Sequence, residues 1–132
     1  MNQDGRDELA VSMADFAAGE SKVFIMNFHP NGTVFTYREL ILKNPQGQIY
    51  TPPINTAFGY SITTMGDING DGVVDIAVGA PQHSDPAGVS RGGAVYVCIM
   101  NDTLEVFDYR LITDVSPDNA ADTYMVVSLC IM

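Results

Sequence analysis

A chain of 132 residues is long enough to bury one modest core and short for two domains. Its 16 acidic against 6 basic residues, a formal charge of -10, repel phosphate backbones and anionic membrane surfaces, which argues against nucleic acid as a partner. No apolar run reaches the roughly 20 residues of a membrane-spanning helix, so direct membrane insertion is not expected. The polar start Met1-Asn2-Gln3-Asp4-Gly5-Arg6-Asp7 lacks a signal peptide's apolar centre, so a secretion signal is expected to lie outside this chain.

In chain order, the apolar runs are short, rich in Val, Ile, Phe and Tyr, and bounded by Gly, Pro, Asn and Asp, which is strand chemistry. Strands are predicted near 8–13, 21–29, 33–42, 57–65, 74–80, 93–101, 104–112 and 123–130; no segment carries a helical period. The expected fold class is therefore all-β and antiparallel. Asn31-Gly32 and Asn101-Asp102 are hairpin-turn signals, and each also opens an Asn-x-Thr triplet that a secretory pathway could glycosylate.

The chain also repeats itself. Val23-Phe24-Ile25 matches Val95-Tyr96-Val97, and Val34-Phe35-Thr36-Tyr37-Arg38 matches Val106-Phe107-Asp108-Tyr109-Arg110, both at an offset of 72 residues. Upstream, the stretch from Asn2 to Val11 matches that from Asn69 to Val78 at an offset of 67. The difference falls in the longer linker of the second copy, Gly79 to Arg91, where insertions are tolerated. Recurrence of Arg38 and Arg110 points either to a common ligand contact or to a repeated salt bridge; Phe24, Tyr96, Phe35 and Phe107 are read as inter-strand core rather than a carbohydrate platform.

Cysteine and histidine carry little chemistry here. Cys98 sits in the apolar run Ala94 to Met100 and is read as a small buried hydrophobe rather than a disulfide partner of Cys130. The two histidines, His29 beside Pro30 and His83 in Gln82-His83-Ser84-Asp85, lie among sequence neighbours, whereas a catalytic triad converges in space from separate elements. A non-enzymatic chain is the expectation.

Chemistry concentrates in Asp67-Ile68-Asn69-Gly70-Asp71-Gly72-Val73-Val74-Asp75. Calcium wants six to eight oxygens, and this spacing offers side-chain oxygens from Asp67, Asn69, Asp71 and Asp75, a main-chain carbonyl from Val73, and Gly72 for the sharp turn. Magnesium, which retains water, suits the loop less. An EF-hand would place a Glu at the twelfth position, which here is Val78, and a helix after the loop, where Asp75 to Pro81 reads as a strand entering a turn.

Phe58-Gly59, this loop and Gly79-Ala80-Pro81 follow one another in the order of an FG-GAP repeat, and Arg91 to Val97 is similar to the third strand of such a repeat. The chain thus resembles the β-propeller of integrin α subunits, strongly over 58–112 and more weakly over 2–42. That resemblance implies four-stranded antiparallel blades, with about two blades in one repeat domain over 1–132. An incomplete repeat covers 1–42, a complete one 57–112, and 113–132 begins a third. It also implies a calcium-binding interaction module at the cell surface, acting in adhesion or recognition of a protein or extracellular ligand. The alternative is an accessory propeller portion of a secreted enzyme such as a hydrolase. In the first copy Asn2, Asp4, the Arg6 carbonyl and Glu8 remain of a weakened loop that lacks the leading Asp. The run 123–130 is a candidate to complete the first blade, in the same chain or in a neighbouring copy, and self-association is a further expectation.

Overall fold

The computed structural model describes residues 6–15, 18–84 and 92–113, and for Ala14 and Asp15 the backbone alone. All regular structure among them is β. The first sheet has the order β1-β2-β3, with β1 Glu8–Asp15, β2 Glu20–Phe28 and β3 Val34–Glu39. A short hairpin follows, β4 Leu42–Lys43 with β5 Ile49–Tyr50. The second sheet is a four-stranded meander, β6 Ser61–Gly66, β7 Asp75–Ala80, β8 Ala94–Met100 and β9 Val106–Thr113. Every pairing is antiparallel. The predicted strand 123–130, the third repeat from 113, and Cys130, Asn2 and Asp4 fall essentially outside the described residues.

The two sheets are copies of one another at the level of register. Leu9 faces Met26 and Val11 faces Phe24 in the first; Ile76 faces Cys98 and Val78 faces Tyr96 in the second, which is the same pairing displaced by the two sequence offsets. Tyr37 faces Met26 as Tyr109 faces Cys98, and Arg38 faces Ile25 as Arg110 faces Val97. Even the irregularities recur, with a bulge at Asn27/Phe28 and another at Ile99/Met100. Both bulges precede the same turn, in which the His29 amide donates to the Thr33 carbonyl and the Asn101 amide to the Glu105 carbonyl.

That turn refines the expectation for its residues. Its left-handed position is Gly32 (φ 83°) in the first copy and Leu104 (φ 61°) in the second. A leucine there costs about 1 kcal/mol or more in backbone strain, and its side chain is buried in the core. Asn101 consequently takes the place of His29, not of Asn31. Each asparagine still accepts from the amide and hydroxyl of the threonine two residues on, at 3.1 and 2.7 Å in both copies. Both Asn-x-Thr triplets thus have a part in their turns.

One core joins the sheets. Alternation along β2 buries Val23, Ile25 and Asn27, and these face the second sheet's Ile76, Val78, Ala80, Ala94, Tyr96, Cys98 and Met100. The inner strand β7 is buried at every position, whereas β8, also flanked on both edges, leaves Val95 and Ile99 half-buried. The expected single strand 33–42 stops at Glu39, because Leu42 turns into this core and starts the β4–β5 hairpin. Asn44 ties that hairpin's turn by accepting from the amides of Gln46 and Gln48. Tyr50 then stacks on Tyr109, with ring centroids 5.5 Å apart, and so pins the linker to the second sheet.

Phe58-Gly59 explains itself physically. The strand expected at 57–65 begins only at Ser61, because 57–60 is a turn in which Ala57 (φ 55°) and Gly59 (φ 86°) are left-handed. A Cβ on Gly59 would stand 2.8 Å from Val23 Cγ2 and 2.9 Å from Ser12 Cβ, so the turn of the second sheet rests directly on the first. Phe58 enters the core edge-on to Tyr96, and the Gly59 amide donates to the Gly79 carbonyl, linking Phe-Gly to Gly-Ala-Pro.

Candidate metal centre

The acidic loop joins β6 to β7, neighbouring antiparallel strands, with a strand and no helix after it. Asp67 organises it. Its Oδ1 accepts from the amides of Gly70 (2.6 Å) and Asp71 (3.0 Å), and its Oδ2 from that of Gly72 (2.7 Å). Such a wrap of amides round one carboxylate needs left-handed backbone at Gly70 (φ 80°) and Gly72 (φ 88°), which these residues supply without a Cβ penalty. Asn69 Oδ1 accepts from the Asp71 amide, and Asp71 accepts from the Val73 amide at 2.8 Å and from Asn69 Nδ2 at 2.8 Å.

Asp75 behaves differently from the other three. Asp67, Asn69 and Asp71 are exposed, whereas Asp75 is wholly buried. Its Oδ2 accepts from the Ile68 amide and its Oδ1 from the Met100 amide, both at 2.9 Å. One carboxylate thus ties the start of the loop to the end of β8, a structural duty that the spacing pattern does not reveal. Its charge and burial together push the neighbouring Cys98 thiol up to about 12, burial being the larger cause, so that cysteine is an inert core residue.

The loop's own amides therefore engage its carboxylates, and no three His, Cys, Asp or Glu side chains among the described residues stand together as a ready metal cluster. Donor chemistry nevertheless fits a hard cation. The pattern residues Asp67, Asn69, Asp71 and Asp75 carry only oxygen as ligand atoms, three of them face solvent, and the Val73 carbonyl lies in the same tight turn. Asp67 Oδ1 already accepts two amides, whereas Asp67 Oδ2 and both oxygens of Asp71 and Asp75 each accept one bond and keep a second lone pair.

Other candidates separate in space. Arg38 reaches across to Glu105 at 3.0 Å, while Arg110 pairs with Asp108 on its own strand, so the repeated arginine makes two different ion pairs and not one common site. His29 sits edge-on to Phe35, with centroids 4.9 Å apart. His83 is buried, with Nδ1 3.1 Å from the Tyr96 hydroxyl. Burial holds that phenol well above its usual range, with Tyr50 beside it adding to the effect. Sequence reasoning missed the His83–Tyr96 pair; its signal was the coincidence of a histidine after Gly-Ala-Pro with a tyrosine in the most apolar strand.

A family model for the FG-GAP repeat matches residues 58–98, the span from the Phe-Gly turn to Cys98 within β8. Integrin alpha-PS3 of Drosophila melanogaster is 35% identical over 83 residues, which is 61% of this chain and 7% of that protein. Integrin alpha-6 of Gallus gallus is 50% identical over 44 residues, 33% of this chain and 4% of the relative. The chain thus spans less than a tenth of either relative, and no solved structure matches it. With matched registers in its two antiparallel sheets and a family match over the loop and its flanking strands, this chain carries an FG-GAP repeat at 58–98, is similar to integrin α proteins, and has an all-β fold that fits a fragment of about two β-propeller blades.

Proposed function

We propose that the chain is a calcium-stabilised, non-enzymatic interaction module of an extracellular or cell-surface protein, serving adhesion or recognition of a protein or extracellular ligand. In this reading 57–112 is a complete repeat and 1–42 an incomplete one. The observation that carries it is the loop between β6 and β7, an oxygen-only donor set on a turn prefolded by Asp67. Asp67, Asn69, Asp71, Asp75 and the Val73 carbonyl would hold the ion. A bound cation would draw in and offset the loop's three carboxylates and stiffen the connection between neighbouring strands. The likeness to two integrin α proteins supports the cell-surface setting. Fold and family leave the ligand's identity to chemistry not on this chain alone.

Calorimetric titration of calcium into chelator-treated protein tests the reading. Extracellular modules bind at about 10⁻⁴–10⁻³ M, so the titration must run into the millimolar range. One site, abolished by Asp71→Ala in a protein that remains folded, is the expected result. Absence of heat in folded wild-type protein, with no calcium-dependent rise in melting temperature, would remove the metal from the account.

A further inference from the structure

The two copies of the strand-joining turn hold their Asn-x-Thr triplets at different depths. Asn31 stands at the apex of its turn and is exposed, as are Gly32 and Thr33, and a Cβ built on Gly32 would meet nothing within 4 Å, so the space around this triplet is open. Asn31 Oδ1 accepts from the Thr33 amide and hydroxyl, while its Nδ2 donates no hydrogen bond among the described residues. Asn101 instead sits half-buried where the chain leaves β8. Its amide donates to the Glu105 carbonyl, its carbonyl accepts from the Leu104 amide, and its Oδ1 takes a third bond, from the Glu105 amide at 3.0 Å. Leu104, buried at the left-handed position, fixes that turn against the core.

We propose that Asn31 is an N-glycosylation acceptor and that its partner triplet at Asn101 is passed over. This rests on the cell-surface reading, which routes the chain through a secretory pathway. In the transfer, Asn31 Nδ2 attacks the anomeric carbon of a lipid-pyrophosphate-linked oligosaccharide. The N–C bond forms as the C–O bond to pyrophosphate breaks, the lipid pyrophosphate leaves, and Nδ2 gives up one of its two protons. Oδ1 keeps both bonds to Thr33, so the sugar adds to the turn without undoing it. At the second triplet the asparagine is tied into the turn by more bonds, and exposed Asp102 sets a carboxylate beside the anionic leaving group where Gly32 sets none. The Arg38–Glu105 ion pair brings both turns to the end of the molecule that carries the acidic loop, whose Asp75 bonds the Met100 amide. A bulky, hydrophilic glycan on Asn31 screens that end, together with the exposed Val34 and Phe35 that follow the triplet.

Expression of the chain in cultured animal cells behind a heterologous signal peptide, followed by tryptic mapping, tests this. Lys22, Arg38, Arg91 and Arg110 place the two triplets on separate peptides, 23–38 and 92–110. Enzymatic release of the glycan in heavy-oxygen water marks each formerly occupied asparagine as labelled aspartate. The expected result is label at Asn31 in most molecules, severalfold above that at Asn101, lost in Thr33→Val and retained in Thr33→Ser. An unoccupied Asn31 in the wild-type chain would overturn the inference, and so would occupancy of Asn101 equal to or above that of Asn31. Mapping the secreted and the cell-retained fractions alike keeps the result independent of whether a variant folds. Failure of the cell-surface reading is a separate outcome, scored by surface biotinylation of the natural protein, which reports where the protein resides and not which asparagine accepts the sugar.

Discussion

Gly59 and Gly72 are both left-handed, yet a methyl group at each meets different surroundings. At Gly72 a Cβ would enter open space, so Gly72→Ala carries backbone strain alone, about 1 kcal/mol. Gly59→Ala adds contacts below 3 Å with Val23 and Ser12 to the same strain and should cost about 2–4 kcal/mol. Urea unfolding of the two variants checks the order; equal losses would mean that the first sheet yields to the added methyl. A second contrast lies within the loop. In chelator, where no ion contributes, Asp75→Ala strands the amides of Ile68 and Met100 in the interior and should destabilise by about 2–4 kcal/mol, whereas exposed Asp71→Ala should cost about 1 kcal/mol or less. The same unfolding assay in chelator separates a structural duty from a ligand's duty, and comparable losses would contradict the division drawn between these carboxylates.

Strands were the most legible level, because a β-rich composition punctuated by Gly, Asn and Pro specifies where runs begin and end. The seven predicted strands that fall on described residues are all present, with shifted ends, and both repeat offsets reappear as register. What the sequence concealed has a physical cause in each case. The break after Glu39 depends on Leu42 finding a pocket in a core that only the fold creates. The β4–β5 hairpin went unread because two-residue strands fall below the length at which alternation can be read. Leucine at a left-handed position runs against local preference, and burial of Leu104 offsets it. In the loop, residue types and spacing announced an oxygen-rich turn, while the burial of Asp75 and its bond to Met100, 25 residues away, could come only from the tertiary structure.

Across the described residues the sheets are held by apolar packing to which a polar clasp is added. Glu105 accepts from Arg38 Nη1 at 3.0 Å and Lys43 Nζ at 2.9 Å, joining β3 and β4 to the second sheet. Lys43, chiefly by its hydrogen bond, holds the Glu105 carboxyl below the usual glutamate range, with a smaller contribution from Arg38. A depressed acid contributes stability that is present above its unfolded value, about 4.3, and is lost as pH falls through the folded one. Because the groups are largely exposed, the contribution is screened to about 1 kcal/mol or less. Glu105→Gln should therefore be less stable than wild type near neutral pH and indistinguishable from it once the carboxyl is protonated. Paired thermal melts across that range check the sign, and a gap that persists in acid would assign the loss to packing.

Backbone-amide NMR during a calcium titration tests the central claim most directly, because it assigns the ion to residues. The account predicts saturable shifts concentrated in the amides of 67–75, with Met100 responding through its bond to Asp75 while the β4–β5 hairpin stays still. Shifts centred elsewhere on the chain, or none in the folded protein at millimolar calcium, would contradict it.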